Sequence, residues 1–447
     1  MKIYLESLGC VKNLVDSEFM LGRLEKAGYT IIKDPAEAEA IIINTCSFIE
    51  SAVNESIDTI LELAELKKDG ACKRIVVTGC LPERFREEIV SALPEVDIFL
   101  GTGAFCKIVE AVSGRLNISE NSSVCFLPDP SQSIFPIAEE PRVLFSPHTA
   151  YLKIAEGCSK RCSYCIIPKL RGKQRSRCLE DIIAEAHLLI ASGVKELILV
   201  AQDTTNYGKD LLPESNFQSL IENISAISEN VWLRFLYGHP ETISDSLINT
   251  IAEHKNICSY FDLPIQHSSN QVLKRMGRHY TSDDLFRIFD KIRTVIPDAA
   301  IRTTLITGFP GETEKNFKHL LNFIENVCFD HLGVFVYSDF RELSSHKLPN
   351  HVPENIAKIR YEQLMSRQAE ISLEKNKKHI GKNYKVLVET SLEKQPGTGR
   401  AYFQAPEVDG ITYINSEKPQ SDLKIGSFTN VRITEALEYD LVGERYD

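Results

Sequence analysis

Hydrophobic and polar positions alternate in two ways along the first part of the chain. Short apolar runs bounded by glycine or polar residues are typical of buried strands, whereas apolar residues three and four positions apart are typical of helices. The predicted strands are KIYLESLG, AIIINT and RIVVTG, and the predicted helices are NLVDSEFMLGRLEKAG, SAVNESIDTILELAELKK and PERFREEIVSAL. This order predicts a doubly wound parallel sheet, with helices on its faces, over residues 1–114.

A segment rich in serine and proline, residues 115–149, separates this sheet from a second series of strands and helices. Its lack of helical periodicity predicts a linker or an extended connection. The strand candidates that follow it are YLKIAEG, ELILVAQ, WLRFLYG, YFDLPIQ, AIRTTLITG and HLGVFVYS. Six βα units are too many for a small sheet and too few for a complete eight-unit barrel. We therefore predict a partial, open (β/α)6 barrel over residues 150–380.

The chain changes character after a long predicted helix, which runs from about Glu354 to His379. Over residues 381–447, short strand-like runs stand between glycine and proline turns. These runs are KVLVETS, YFQAPEV, ITYIN and FTNVRITEAL. They predict a small antiparallel β barrel at the carboxyl end.

Composition and charge narrow the class of protein. With 43% hydrophobic and 25% charged residues, the chain is typical of globular proteins. No apolar run reaches the roughly 18 to 20 residues that span a bilayer, and the start MKIYLESLGC lacks the features of a secretion signal. We therefore expect a cytoplasmic protein with no membrane partner. The net charge of −11 favours a basic partner over a long phosphate backbone, although a local basic groove would be compatible with it.

Three of the 12 cysteines, Cys158, Cys162 and Cys165, form a C-x3-C-x2-C motif after the first predicted barrel strand. Thiols stay reduced in the cytoplasm, so this spacing indicates metal ligands rather than disulfides. Structural zinc normally takes four ligands, and the nearby candidates for a fourth, Cys178 and His148, are not at customary spacing. Three thiolates could instead hold three irons of a 4Fe–4S cluster and leave one iron open. An open iron at the mouth of a barrel indicates a catalytic cluster.

Three other cysteines each follow a predicted strand of the amino-terminal sheet: Cys10 in SLGC, Cys46 in INTC and Cys80 in VTGC. Because the carboxyl ends of parallel strands lie along one edge of a sheet, we expect these thiols to converge there. The alternative is three buried thiols in loops. The other cysteines show no ligand spacing and are predicted to be buried and apolar; they are Cys72, Cys106, Cys125, Cys178, Cys258 and Cys328.

The C-x3-C-x2-C motif, with an aromatic residue at Tyr164, resembles the signature of the radical S-adenosylmethionine superfamily. In that superfamily the methionine amine and carboxylate chelate the open iron, and the reduced cluster cleaves the sulfonium to give a 5′-deoxyadenosyl radical. This radical breaks an unactivated C–H bond, a step that protein side chains cannot perform and that therefore needs a cofactor. The resemblance narrows to the methylthiotransferase family and covers essentially the whole chain; the matching segments include SLGCVKNLVDSE, NTCSFIESAVNES, VTGCLPER, VAQDTTNYG, LPIQHSSNQVLKRMGR and TLITGFPGET.

The resemblance implies two 4Fe–4S clusters and S-adenosylmethionine as cofactors. The central cysteine triad would hold the cluster that cleaves S-adenosylmethionine, and the amino-terminal triad would hold an auxiliary cluster that carries the sulfur. Two molecules of S-adenosylmethionine would be used per turnover, one as methyl donor and one as radical source. The carboxyl-terminal barrel would be a TRAM domain. An electron donor such as a flavodoxin or ferredoxin is also implied, and we expect a monomer.

The residues after Cys10 favour one branch of the family. RNA-modifying relatives commonly have Gln, Met and Asn there, whereas this chain has Val11, Lys12 and Asn13. This resembles the branch that methylthiolates the β-carbon of an aspartate in small-subunit ribosomal protein number twelve. Residues 381–447 contain eight Lys or Arg and eleven Asp or Glu, a net charge of −3. An acidic barrel should repel phosphate and attract a basic ribosomal protein.

Five further residues end predicted barrel strands, where barrels place active-site groups, and are candidate contacts to S-adenosylmethionine. They are Gln202, Asp203, Gly308, Gly311 and Glu312. The alternative for Asp203 is capping of a helix, and the alternative for the glycines is a plain turn. No side chain is assigned a catalytic role by the sequence.

A basic run follows the central triad, and it consists of Arg171, Lys173, Arg175 and Arg177. These residues could offset the carboxylates of cofactor and substrate, or they could form a solvated basic face. His239 and His267, near strand ends, are expected to be structural histidines rather than ligands.

Two other functions remain open at the level of sequence. The first is the same radical methylthio transfer, but to an adenosine in tRNA. The second is a noncatalytic, metal-stabilised scaffold that binds RNA or protein through its terminal barrel.

Overall fold

The protein is described from a computed structural model, which covers residues 1–116, 125–212, 215–392, 395–415 and 423–446. An amino-terminal sheet, a central partial barrel and a carboxyl-terminal closed barrel follow one another along the chain. This architecture confirms the fold class predicted from the sequence, except that one strand pair of the predicted antiparallel barrel, Thr412–Asn415 with Leu441–Arg445, is parallel.

The amino-terminal sheet has six parallel strands in the order β2-β1-β3-β4-β5-β6. Its strands are β1 (Lys2–Ser7), β2 (Thr30–Ile31), β3 (Ala40–Thr45), β4 (Arg74–Gly79), β5 (Ile98–Leu100) and β6 (Cys125–Phe126). Its helices are α1 (Val11–Lys26), α2 (Glu50–Ala64), α3 (Leu66–Asp69), α4 (Cys80–Phe85), α5 (Glu88–Ala92) and α6 (Ile108–Ser113). Strand β6 lies inside the segment that the sequence predicts as a linker.

Both faces of β3 are buried, which explains why this strand is apolar along most of its length rather than alternating. Ile42 of β3 packs with α1 on one face, whereas Ile41 and Ile43 pack with α2 on the other. The helix predicted over PERFREEIVSAL is broken into α4 and α5, because Arg86 between them adopts a φ of 52° that no α-helix allows.

The central region contains the predicted six barrel strands. They are β7 (Thr149–Lys153), β10 (Glu196–Val200), β11 (Trp232–Phe235), β12 (Tyr260–Asp262), β13 (Ala300–Thr307) and β14 (His331–Val336). The small strands β8 (Ala155–Glu156) and β9 (Arg175–Ser176) pair with each other. The helices are α7 (Ile167–Arg171), α8 (Leu179–Ala191), α9 (Phe217–Ser225), α10 (Asp245–Glu253), α11 (Asn270–Met276), α12 (Ser282–Val295) and α13 (Glu314–Val327).

The six barrel strands form two parallel three-stranded sheets, ordered β11-β10-β7 and β12-β13-β14. The amide of Leu233 in β11 donates to the carbonyl of Asn256, and the amide of Cys258 donates to the carbonyl of Leu233. These bonds join the two sheets through the segment that enters β12. The carboxyl ends of all six strands therefore share one mouth.

Helix α14 (Glu354–Lys377) leads to a closed barrel whose strand order is β15-β16-β17-β19-β18. Its strands are β15 (Asn383–Leu392), β16 (Gln395–Arg400), β17 (Thr412–Asn415), β18 (Phe428–Ala436) and β19 (Leu441–Arg445). The prediction of a strand over YFQAPEV was wrong. Phe403 and Ala405 of that segment are buried in a loop, and the carbonyl of Phe403 lies 2.8 Å from Nε2 of His331 at the start of β14.

The terminal barrel contacts the end of the central barrel that lies opposite the mouth. The hydroxyl of Tyr260, at the start of β12, donates to Asp409 at 2.6 Å, and Arg234 in β11 donates to the carbonyl of Tyr402 at 2.8 Å. In the described ranges, no helix combines the length and apolar character needed to cross a membrane.

Candidate functional site

The central cysteine triad lies in the loop between β8 and α7, at the mouth of the partial barrel. Cys158 donates its amide to the carbonyl of Gly172 at 3.1 Å, and Ser163 donates its amide to the carbonyl of Met276 at 3.0 Å. The loop is therefore fixed at both ends, while all three thiols are free and partly exposed. Free thiols on a fixed, accessible loop suit metal ligands better than buried packing groups.

The thiols of the central triad lie close enough to influence one another. Burial raises the pKa of Cys165 to about 12, and the neighbouring thiols Cys162 and Cys158 contribute to the rise. Burial also raises the pKa of Cys158 to about 11. Two adjacent thiolates repel each other, so a cation placed among them would favour the ionised forms.

The amino-terminal triad lies at the carboxyl edge of the six-stranded sheet, and its cysteines follow β1, β3 and β4. Gly9 has a φ of 87°, and a Cβ at this position would lie 2.4 Å from Cys46 Cβ and 2.9 Å from its Sγ. Gly79 has a φ of 98°, and a Cβ there would lie 2.6 Å from the carbonyl oxygen of Thr45. The two glycines before Cys10 and Cys80 therefore permit the close approach of three strand ends.

The thiols of the amino-terminal triad also influence one another. Burial raises the pKa of Cys80 to about 12, Arg171 opposes the rise, and the thiols of Cys46 and Cys10 add to it. Burial acts in the same way on Cys10, but Lys12 and Arg171 together leave the pKa of that thiol below its usual value. The topology thus brings together three cysteines that stand far apart in sequence.

A buried network of charged side chains lies between the amino-terminal triad and the strand that precedes the central triad. Arg171 Nη1, at the end of α7, lies 2.8 Å from Asp16 in α1 and 3.2 Å from Glu156 in β8. Arg171 also donates to Asn13 and, at 3.8 Å, to the Sγ of Cys80. The side chain of Arg171 is 3% exposed. One guanidinium thus contacts both the amino-terminal triad and the strand that precedes the central triad.

Lys153, at the end of β7, completes this network. Its ammonium pairs with Asp16 and lies 2.8 Å from Glu156. Glu156 in turn accepts a hydrogen bond from Gln202 Nε2. The network could not be found from sequence spacing, because Asp16 lies 137 residues from Lys153 and 155 residues from Arg171.

Gln202 and Asp203 lie after β10, next to the central triad. The oxygen of the Gln202 amide and both carboxylate oxygens of Asp203 are buried and accept no hydrogen bond in the described part of the chain. The ammonium of Lys160, between Cys158 and Cys162, lies 3.6 Å from Asp203 and 3.0 Å from Glu241. Buried acceptors without a hydrogen bond at a barrel mouth suit a ligand that carries N–H or ammonium donors.

The aromatic residue inside the central motif anchors the loop. Arg278 Nε lies 3.1 Å from the Tyr164 hydroxyl, and Arg278 also pairs with the ring of His239. Burial next to Arg278 lowers the pKa of His239, so its imidazole is neutral. Tyr164 further contacts the edge of Phe309, with ring centres 6.5 Å apart. This side of the triad is therefore connected to β11 and β13.

The residues after β13 form a tight turn that is packed against helices. A Cβ on Gly308 would lie 2.4 Å from Ala357 of α14, and a Cβ on Gly311 would lie 2.0 Å from Arg275 of α11. Glu312 is buried, accepts from the Gly308 amide and lies 3.2 Å from Arg360. These contacts give all three residues a role in packing; their contact with S-adenosylmethionine stays a prediction.

The basic run after the central triad is divided among several environments. Arg177 is buried and lies 2.6 Å from Glu185, whereas Arg175 donates to the carbonyl of Pro130 at 2.9 Å. Lys173 is exposed. The alternative of one solvated basic face is therefore wrong for Arg171 and Arg177. The prediction that the other six cysteines are buried holds for Cys72 and Cys258, but Cys178 is exposed and Cys106, Cys125 and Cys328 are half-buried.

The donor sets of both triads fit iron–sulfur clusters. Each set consists of three thiols on separate backbone positions, and soft thiolates are the ligands that such clusters take. Within the described ranges, no three His, Cys, Asp or Glu side chains converge as ligands of a single metal ion. A cubane cluster has a different requirement, since each thiolate binds its own iron.

Three family models match the chain in the same order as its three structural regions. Residues 2–101 match an uncharacterized protein family, UPF0004, and residues 152–324 match the radical SAM superfamily. Residues 380–445 match the TRAM domain. The radical SAM match implies a 4Fe–4S cluster and S-adenosylmethionine.

Curated relatives cover the whole chain. It is 51% identical over 444 residues to the ribosomal protein uS12 methylthiotransferase RimO of Desulfosudis oleivorans, a match that covers 99% of this chain and 100% of the relative. It is 49% identical over 446 residues to the protein of the same name from Clostridioides difficile, covering 99% of this chain and 98% of the relative. The chain belongs to the RimO family of methylthiotransferases. It is thus a radical S-adenosylmethionine enzyme, as the cysteine motif predicts.

Solved structures of more distant enzymes share the fold of this RimO family member. The radical S-adenosylmethionine methyltransferase TsrM of Kitasatospora setae superposes with a TM-score of 0.55 at 14% identity, over 75% of this chain and 74% of that one. The cobalamin-dependent S-adenosylmethionine radical enzyme OxsB superposes with a TM-score of 0.53 at 13% identity, over 83% of this chain and 56% of that one. At these identities the likeness concerns the fold alone.

Proposed function

We propose that this protein transfers a methylthio group to the β-carbon of an aspartate in the small-subunit ribosomal protein uS12. The observation that carries the proposal is the pair of cysteine triads: Arg171 contacts Cys80 of the amino-terminal triad and also Glu156, which lies two residues before Cys158 of the central triad. Full-length identity of about half to relatives with this activity in their name supports the substrate.

The central triad would hold a 4Fe–4S cluster, and the amino-terminal triad would hold a second one. Cluster and S-adenosylmethionine together supply the radical chemistry that removes a hydrogen atom from an unactivated carbon. The protein's own residues would bind and orient S-adenosylmethionine. The acceptors of Gln202 and Asp203, which have no hydrogen bond, would receive the donors of S-adenosylmethionine. The paired charges of Lys153 and Glu156 would keep the barrel mouth rigid.

The buried network would also fix the separation of the two triads. Its members come from α1, β7, β8 and α7, so it crosses from the amino-terminal sheet to the partial barrel. A buried ion pair with good geometry resists displacement, because moving one partner leaves the other charge without solvation. Such rigidity suits a reaction in which a carbon radical must meet a bound sulfur before it meets anything else.

The terminal barrel would attract the substrate from a distance. It contacts the end of the central barrel opposite the mouth, so it does not line the site. Its net charge of −3 over residues 381–447 would favour approach of a basic ribosomal protein and disfavour approach of tRNA.

The test is anaerobic reconstitution, followed by incubation with free uS12, with assembled small subunits and with unmodified tRNA. We expect about eight irons per chain, given about four irons per cluster, and a mass gain of one methylthio group on uS12 alone. A mass gain on tRNA alone would support the adenosine-modifying alternative. Zinc in place of iron, with no 5′-deoxyadenosine on reduction, would support the scaffold alternative.

A further inference from the structure

Lys12 is a buried cation without a carboxylate partner. The residue is 7% exposed, and its Nζ lies 3.4 Å from the centre of the Tyr237 ring. The described residues give this ammonium neither a hydrogen bond nor an ion pair. A ring face offsets only part of the water shell that a buried ammonium loses. Among the described residues, the Lys12 ammonium therefore lacks an anionic partner.

The acidic side chains nearby are already paired. Asp16 lies 2.8 Å from Arg171 and also pairs with Lys153, and Glu156 contacts the same two cations. Three cations in this buried region thus face two carboxylates, and Lys12 is the cation left over.

The environment of Lys12 is held firmly at the mouth of the barrel. Tyr237 follows β11 with a φ of 61°, and its amide donates to the carboxylate of Asp262 at 2.8 Å. Its carbonyl accepts from the amide of Thr204, the residue after Asp203, at 3.1 Å. Lys12 itself follows Cys10 by two positions. The ammonium is therefore located between the amino-terminal triad and the acceptors after β10.

We propose that Lys12 binds the side-chain carboxylate of the substrate aspartate. The inference rests on the proposed function and adds the group that recognises the reacting residue. An aspartate β-carbon is bonded directly to the carboxylate, so a salt bridge to the carboxylate would fix the reacting carbon. An adenine base carries no anionic group. Lys12 would therefore distinguish an acidic side chain from a nucleobase or an asparagine.

A different role for Lys12 would be to offset the charge of the neighbouring thiolate. Lys12 contributes to the low pKa of Cys10, where burial acts in the opposite direction. The two roles differ in what they predict for the substrate. A carboxylate-binding lysine distinguishes aspartate from asparagine at the modified position, whereas a lysine that serves only the thiolates affects both substrates equally.

The experiment compares Lys12→Met and Lys12→Arg with the wild-type holoenzyme. The ligands are free uS12 and its variant with asparagine in place of the modified aspartate. Dissociation constants are measured anaerobically, with S-adenosylmethionine present, and the iron and sulfide content of each preparation is determined. The control is Lys107→Met, since Lys107 is 46% exposed and lies in a surface pair with Glu110.

We expect the wild type and Lys107→Met to bind the aspartate form at least about 10-fold more tightly than the asparagine form. In Lys12→Met this ratio should fall close to one, kcat/KM for methylthiolation should fall at least about 100-fold, and Lys12→Arg should restore part of both. Iron content should match the wild type. An unchanged ratio in Lys12→Met, or a loss of iron that accounts for the loss of activity, would overturn the inference while the proposed function stands. A wild-type enzyme that leaves uS12 unmodified would overturn both.

Discussion

The carboxylate of Glu196 lies 2.6 Å from Nη2 of Arg400 and 2.7 Å from Nε of Arg234, and all three side chains are almost completely buried. Glu196 begins β10 of the central barrel, and Arg400 ends β16 of the terminal barrel. A buried carboxylate between two guanidinium groups therefore joins the two barrels, at the end of the central barrel that lies away from the cysteines.

Glu196→Gln should release the terminal barrel. The substitution leaves the buried guanidinium of Arg234 without its anion and leaves Arg400 paired with Glu389 alone. Breaking such a buried pair costs roughly 3–5 kcal/mol. We expect faster protease cleavage in residues 378–382, between α14 and β15, and a lower urea midpoint. Arg367→Ala is the control, because the exposed pairs of Arg367 with Glu370 and Glu325 should each contribute about 0–1 kcal/mol. Equal protease sensitivity of both variants would show that the buried pair does not hold the barrels together.

The contribution of Glu196 to the stability of the protein should depend on pH. Burial opposes the charged form, but Arg400 and Arg234 lower the pKa of Glu196 below its ordinary value of 4.5. A carboxyl group with a lowered folded-state pKa stabilises the fold above its ordinary pKa, and this contribution is lost as the pH falls through the folded-state pKa. The difference in urea midpoint between wild type and Glu196→Gln should therefore be constant from neutral pH to about 4.5 and narrow below it. A difference that stays constant at lower pH would contradict this.

Local periodicity was sufficient to predict most of the fold. Apolar runs such as AIIINT correctly predicted strands that are buried on both faces. Helix α14 begins at the predicted residue, Glu354, and ends two residues before the predicted end. The failures have local causes. YFQAPEV has the composition of a strand, yet Phe403 and Ala405 are buried by packing against the central barrel rather than by pairing within a sheet. The conformation of such a segment depends on residues that are distant in sequence. Local periodicity carries no information about those contacts.

For the candidate site too, local patterns in the sequence indicated the cysteines but not the contacts between distant residues. Both cysteine triads could be found, one by its spacing and one by the position of cysteines after successive strands. Arg171 was noticed only as part of a basic run, and its partner Asp16 was not singled out, since a polar residue in a helix is usually exposed. One clue was present: Asp16 falls on the face of α1 that also carries Phe19 and Met20, which are buried.

Arg171→Met should weaken the contact between the amino-terminal sheet and the partial barrel. It removes a cation from Asp16 and Glu156, which then share Lys153 alone, and a loss of roughly 3–5 kcal/mol is expected. Arg171→Lys keeps the charge but loses the fork that reaches several partners at once, so it should restore stability only in part. Thermal unfolding of the three proteins checks this order. Full restoration by lysine would show that charge alone matters at this position.

Gly9→Ala should abolish binding of the cluster that the proposed function places at the amino-terminal triad, while the fold persists. The new Cβ would lie 2.4 Å from Cys46 Cβ, so one of the two strand ends must shift. The control is Gly28→Ala, because Gly28 has nearly the same φ, 85° against 87°, and no atom within 4 Å of its Cβ position. Backbone strain of about 1–2 kcal/mol is common to both variants, so any difference in iron content comes from the contact with Cys46. Gly28→Ala should keep its full iron content, and Gly9→Ala about half.

Cys46→Ala should separate two activities that the proposed function assigns to two clusters. The substitution removes one thiol of the amino-terminal triad and leaves the central triad intact, so about four irons per chain should remain. Release of 5′-deoxyadenosine on reduction should survive, whereas methylthiolation of uS12 should be lost. Cys178→Ser, which changes an exposed cysteine outside both triads, should retain both activities. Cys46 follows a strand of the amino-terminal sheet, whereas the central triad lies in a loop of the partial barrel. Loss of both activities together in Cys46→Ala would therefore mean that the two triads do not act as independent sites.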